Sequence, residues 1–146
     1  MKTTALATAL SRAFCGAVFV IHGWPKVLNF SATMQMFEAW GFPGWVGVPV
    51  GLFELFGGLL LVAGFRTRAV ALIFVVEMAV ALFWIHLPNG FFASSGGYEF
   101  VLALVVLLNV VLMLGPGSAS VDAMLARPAV APEPEHGPEA TSFDEL

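Results

Sequence analysis

The sequence predicts an all-α integral membrane protein, an antiparallel four-helix bundle with a short interfacial helix in its first outer loop. Three observations carry that reading. Of 146 residues, 59% are hydrophobic and only 11% charged, against about 25% charged in an average soluble domain. Four apolar runs, about 6–24, 45–65, 69–87 and 98–114, each have the length of a spanning helix. Between them stand turn formers such as Gly41-Phe42-Pro43-Gly44 and Pro88-Asn89-Gly90.

The first run follows Lys2, as a signal peptide would, but Arg12 interrupts it and no A-x-A cleavage site follows. It reads as a retained first helix. Cys15, alone in the chain, forms no intramolecular disulfide or CxxC pair and is expected as a small buried filler. In the loop that follows, Ser31 is the expected N-cap of a short helix through Trp40, closed by Gly41 at C′. Met34, Phe37 and Trp40 fall on one face of it, which suits a segment lying in the interface. Trp24, Trp40, Trp45 and Trp84 are expected as interfacial anchors.

The second run carries Gly47, Gly51, Glu54 and Gly58 on one stripe, a surface that admits close helix contact. The first helix carries a matching stripe of Arg12, Gly16, Phe19, Gly23 and Lys26, with His22 at its edge. The second and third runs are joined by the Arg66-Thr67-Arg68 turn. The fourth ends at Gly115-Pro116-Gly117, after which Ser120-Val121-Asp122 starts a short helical turn. Residues 1–122 therefore read as one membrane domain and 123–146 as a disordered, acidic, Pro-rich tail.

Charge sets orientation and excludes some functions. The net charge of −4 comes wholly from residues 127–146; the body before them is balanced. Nothing is basic enough for nucleic acid. Lys2, Arg66 and Arg68 flank one side of the spans and Lys26 the other, so the positive-inside rule puts both termini in the cytoplasm. The expected location is a cell membrane, crossed several times.

Function rests on the charges inside the apolar runs: Arg12, Glu54, Glu77 and Glu99. A charge at the bilayer centre costs roughly 2.5–3.5 kcal/mol on insertion scales. At about 1.5 Å per residue, Glu54 and Glu77 lie about 14 and 12 Å in from their helix ends, near the midplane of a ~30 Å core. Pairing Arg12 with Glu54 or Glu77 is the simplest neutralisation. One carboxyl is then left to be protonated, shared or solvated by buried water. Arg12, Glu54 and Glu77 thus form the candidate polar centre for a quinone head group or a proton, with Arg12 orienting a carbonyl oxygen. His22, Lys26, His86, Tyr98 and Glu99 form a second group at its outer mouth, with His86 on the face of the third helix opposite Glu77 and Lys26 reaching for lipid phosphate. No metal-ligand spacing, hydrolase signature, P-loop or dinucleotide fingerprint is present, and the chain has no cofactor site of its own. Against this reading stand a bundle whose ion pairs only fix helix register, serving as a scaffold or anchor for a partner enzyme, and a small-solute or proton transporter.

Several motifs, in order, resemble the DoxX family of small four-helix bacterial membrane proteins. They begin with Arg12 and His22-Gly23-x-x-Lys26, Gly41-Phe42-Pro43, Glu54-x-x-Gly57-Gly58 and Gly64-x-x-Thr67-Arg68. They continue with Glu77-Met78, His86-x-Pro88-x-Gly90-Phe91-Phe92, Gly96-Gly97-Tyr98-Glu99-Phe100 and Gly115-Pro116-Gly117-x-x-Ser120-Val121-Asp122. The resemblance spans roughly residues 8–125. It implies a membrane subunit of a respiratory or oxidative-stress oxidoreductase system, in contact with quinone or anchoring a partner subunit. A reaction catalysed by this chain alone is not implied, and a second copy of the chain is a further candidate partner.

Overall fold

The computed structural model describes residues 2–126; the expected disordered tail lies, from residue 127 on, outside the described residues. The chain forms α1 (Lys2–Leu28), α2 (Phe30–Ala39), α3 (Gly47–Ala63), α4 (Thr67–Val80), α5 (Glu99–Leu114) and α6 (Val121–Leu125). Three continuous segments, Thr3–Leu28, Gly44–Ala63 and Thr67–Asn89, are long and apolar enough to cross a membrane, and Glu99–Leu114 is a shorter apolar helix. Their outward faces present large apolar side chains such as Leu10, Phe14, Ile21, Leu59 and Leu72.

Several element ends differ from the sequence expectation. α1 does not stop at Trp24: Pro25 sits inside it, and the helix continues to Leu28. The short helix starts a residue before Ser31, because the Asn29 side chain accepts from the Ala32 N–H and caps it. Gly41 closes that helix at φ +85°, in the C′ role expected of it. The buried stripe of α2 is Thr33 and Phe37, while Met34 is partly exposed. α4 runs on from Val80 into a π-helical stretch, Ala81–His86, and a 3-10 turn, Leu87–Asn89. Ser120 does cap a short helix, its side chain accepting from the Ala123 N–H, but α6 extends to Leu125, into residues expected to be tail.

The tightest helix pair is α1 on α3, and glycine makes it possible. A Cβ on Gly16 would lie 2.6 Å from the Gly58 carbonyl oxygen, and one on Gly23 would lie 2.9 Å from that of Gly51. Backbone meets backbone at both levels, and the numbering shows that the two helices run in opposite directions. Gly58→Leu is therefore expected to cost about 1–3 kcal/mol through overpacking. Thermal unfolding in detergent checks this, with Leu59→Ala on the exposed face as a near-neutral comparison.

The core lies where α1, α3, α4 and α5 converge, around Cys15, Phe19, Leu61, Phe74, Leu104 and Leu108. The rings of Phe19 and Phe74 stack with centroids 3.6 Å apart. α4 packs mainly on α5 and meets α3 more sparsely, with the Phe53 and Phe74 rings 4.7 Å apart.

That turn is clamped by α6. Asp122 Oδ1 accepts from the Arg66 N–H at 2.8 Å and Oδ2 from the Thr67 N–H at 2.9 Å. It thus caps α4 from a distant part of the chain and holds Arg66 at φ +50°. Partial burial alone would raise the Asp122 pKa, but these backbone N–H groups, with the nearby Arg66 charge, hold it below its ordinary value. A carboxyl whose pKa is depressed by folding stabilises above its unfolded value, about 3.9, and loses that contribution as pH falls through the folded value. Asp122→Asn should cost about 0.5–2 kcal/mol near neutrality. The gap between the unfolding temperatures of wild type and variant should narrow below about pH 4.

Candidate ligand-binding cavity

Between the α1/α3 and α4/α5 pairs lies a cavity of about 660 Å³, within the range of small-molecule sites. Its walls are predominantly apolar and aromatic; Phe19, Phe37, Trp40, Phe42, Phe53 and Phe100 all line it. Its polar lining consists of His22, Lys26, Glu54, Glu77 and His86. α2 and the segment after it cover one end. Trp84 Nε1 donates to the Trp40 carbonyl at 3.1 Å, and the Phe42 and Trp84 rings meet at 5.6 Å, tying this cover to the end of the third span. Trp40 thus lines the cavity, beyond the anchoring role expected of it.

Glu54 lies on the packed face of α3, as its glycine stripe implied, and is buried. Its partner is Lys26, whose Nζ donates to both carboxylate oxygens. Glu77, from α4, lines the same cavity as Glu54 and Lys26. Two carboxyls and one ammonium therefore share one wall of the cavity.

Arg12 does not join them. It is 3% exposed, and its guanidinium donates to the carbonyls of Leu61 at 2.8 Å, Val62, and Ala119 at 2.7 Å. Two of these carbonyls, Leu61 and Val62, lie at the C-terminus of α3, where a cation is also favoured by the helix dipole. The expected pairing of Arg12 with Glu54 or Glu77 is corrected to Lys26 with Glu54, and the expected Lys26–lipid contact gives way to the same pair. One cause underlies both corrections. Helical side chains lean toward the N-terminus of their helix. Arg12 therefore leans away from the acids, while Lys26, kept helical by the extension of α1 to Leu28, leans back toward them.

The outer group divides. His22 and His86 line the cavity. Glu99 instead accepts from the Ala93 N–H at 2.7 Å, and Tyr98 packs edge-on against Phe91 with centroids 5.5 Å apart. Neither lines the cavity; both organise the 90–98 loop. His86 was expected opposite Glu77, nine residues earlier, yet both face the cavity. The π-helical stretch Ala81–His86 explains the difference, since its i→i+5 pattern gives each residue less angular advance than the α-helical 100°. Composition carries no signal for such a stretch. Among the described residues, no group of three or more His, Cys, Asp or Glu side chains is arranged to hold a metal ion.

The family model for DoxX matches residues 7–87. The chain belongs to the DoxX family. An uncharacterized protein of Haemophilus influenzae is 34% identical over 78% of this chain and 87% of its own length. The inner membrane protein YqjF of Escherichia coli is 30% identical over 80% of this chain and 89% of its own. The putative oxidoreductase CatD of Bacillus subtilis is 28% identical over 70% of this chain and 76% of its own. No solved structure matches the chain. The DoxX match contains every polar residue of the cavity, from His22 to His86.

Proposed function

We propose that this DoxX membrane protein is the quinone-binding membrane subunit of an oxidoreductase system. It would sit in the bacterial inner membrane as an antiparallel four-helix bundle with both termini cytoplasmic and α2 along the outer interface. The observation that carries the reading is the cavity: apolar and aromatic walls around one cluster of Lys26, Glu54 and Glu77. A flat, lipid-soluble ring with oxygen substituents suits such a lining, because its faces pack on aromatic side chains and its oxygens need a few placed donors and acceptors. The names of the relatives YqjF and CatD, an inner membrane protein and a putative oxidoreductase, agree with this setting.

The roles follow from the geometry. Lys26, with two of its hydrogens committed to Glu54, has a third to offer an oxygen of the ligand. The Glu54–Glu77 pair can hold a proton between its carboxyls and exchange it with that oxygen. The partner enzyme supplies or removes electrons.

The test is purification in mild detergent, followed by extraction and quantification of bound quinone from wild type, Glu54→Gln and Glu77→Gln. Wild type should carry quinone, and both variants should lose most of it while staying folded. Undiminished quinone in both would remove the polar cluster from the site.

A further inference from the structure

His86 sits on the cavity wall with one ring nitrogen already committed. Its Nδ1 lies 2.7 Å from the Gly96 carbonyl oxygen. That carbonyl is fixed in turn by the 90–98 loop: Asn89 Nδ2 donates to the Ile85 carbonyl at 3.0 Å and approaches Gly96 O at 3.4 Å. The Gly97 N–H donates to the Phe92 carbonyl at 2.9 Å and the Tyr98 N–H to that of Gly90 at 3.0 Å. A carbonyl oxygen can only accept, so in the neutral imidazole Nδ1 carries the hydrogen and Nε2 carries a lone pair. With Nδ1 engaged, Nε2 is the ring nitrogen left for a ligand.

We infer that the cavity selects ligands presenting a hydroxyl donor to His86 Nε2, and therefore binds the hydroquinone form in preference to the oxidised quinone. The inference rests on the quinone-site reading above and adds to it which redox form is held. The two poles of the cavity differ in what they can discriminate. At the Lys26–Glu54–Glu77 pole both donors and acceptors are present, so a hydroxyl and a carbonyl oxygen are each served. At His86, as the neutral imidazole, only an acceptor is offered. A hydroxyl donates to it; a quinone carbonyl brings a second lone pair and leaves both groups without a hydrogen. The π-helical stretch that turns His86 toward the cavity is thus part of the selection, and His86 acts as a specificity-determining residue.

The experiment uses the full chain in lipid nanodiscs under anaerobic conditions, with a short-chain benzoquinone and its reduced hydroquinone as probes. The expected result is a hydroquinone affinity roughly tenfold above that of the quinone, the worth of one hydrogen bond. His86→Phe, which keeps a ring and removes the acceptor, should bring the two affinities together. A second measurement does not depend on a variant that folds: in ¹⁵N-histidine-labelled wild type, His86 should show a protonated Nδ1 and a lone-pair Nε2. Its Nε2 resonance should shift with hydroquinone and stay put with quinone. Equal affinity for the two forms, a preference surviving in His86→Phe, or the opposite tautomer would overturn the inference and leave the quinone site standing. Binding of neither probe to wild type would overturn the quinone reading, and this inference with it.

Discussion

Lys26→Met is expected to destabilise the protein by about 3–5 kcal/mol, because it strands a carboxylate in the interior. Glu54 is 5% exposed and Lys26 17% at the side chain, and Nζ reaches both carboxylate oxygens. Removing the ammonium leaves Glu54 facing Glu77 with no compensating charge. Lys26→Met combined with Glu54→Gln should recover most of the loss, since replacing both partners of a buried pair by neutral groups is often nearly neutral. Unfolding the wild type, the two single variants and the double variant in one detergent gives the coupling directly. A Lys26→Met variant as stable as the double would mean that the unpaired Glu54 carboxylate carries no penalty. The cycle also separates this pair from the Arg12 pairing that the charge count alone suggests.

Arg12→Met should be comparably damaging for a different reason. The guanidinium serves three carbonyls, those of Leu61, Val62 and Ala119. The Leu61 carbonyl keeps the Gly64 N–H at 3.2 Å, but an acceptor left without a donor, as at Val62 or Ala119, costs about 1–3 kcal/mol. The expected fall in unfolding temperature is on the order of 10 °C. Arg12→Lys should restore little of it, because an ammonium cannot reproduce a planar fork aimed at several carbonyls. Adding Glu54→Gln should bring no rescue, and the two losses should add, since the residues share no partner. Rescue by Glu54→Gln would show instead that Arg12 compensates the midplane acids.

These two residues mark where the sequence was informative and where it was not. Their shared stripe on α1 was readable, because Gly16, Phe19 and Gly23 lie between them at helical spacing and all three are buried. The glycine face of α3 was readable for the same reason, and it placed Glu54 inward correctly. The ion-pair partners were not, because helical spacing gives a face and says nothing of the direction in which a long side chain leans. Element ends were less exact: the first apolar run was read to about residue 24, whereas α1 continues through Pro25 to Leu28. Glu99 and Tyr98 looked like site residues because they are polar at a membrane boundary, yet their contacts are with Ala93 and Phe91 of the adjoining loop. The cavity itself was not legible. It is lined by residues of α1, α3, α4 and α5 together, a property of the whole packing.

The π-helical stretch Ala81–His86 has a consequence for how this wall can vary. An i→i+5 turn holds one residue more than the i→i+4 turn it replaces. A natural relative lacking a single residue there would revert to regular winding with its histidine eight residues from the glutamate, about 80° from it, and still on the chamber side. Counting residues between the glutamate and the histidine would then sort such proteins into those that need a π-helical turn to present the imidazole to the chamber and those that do not.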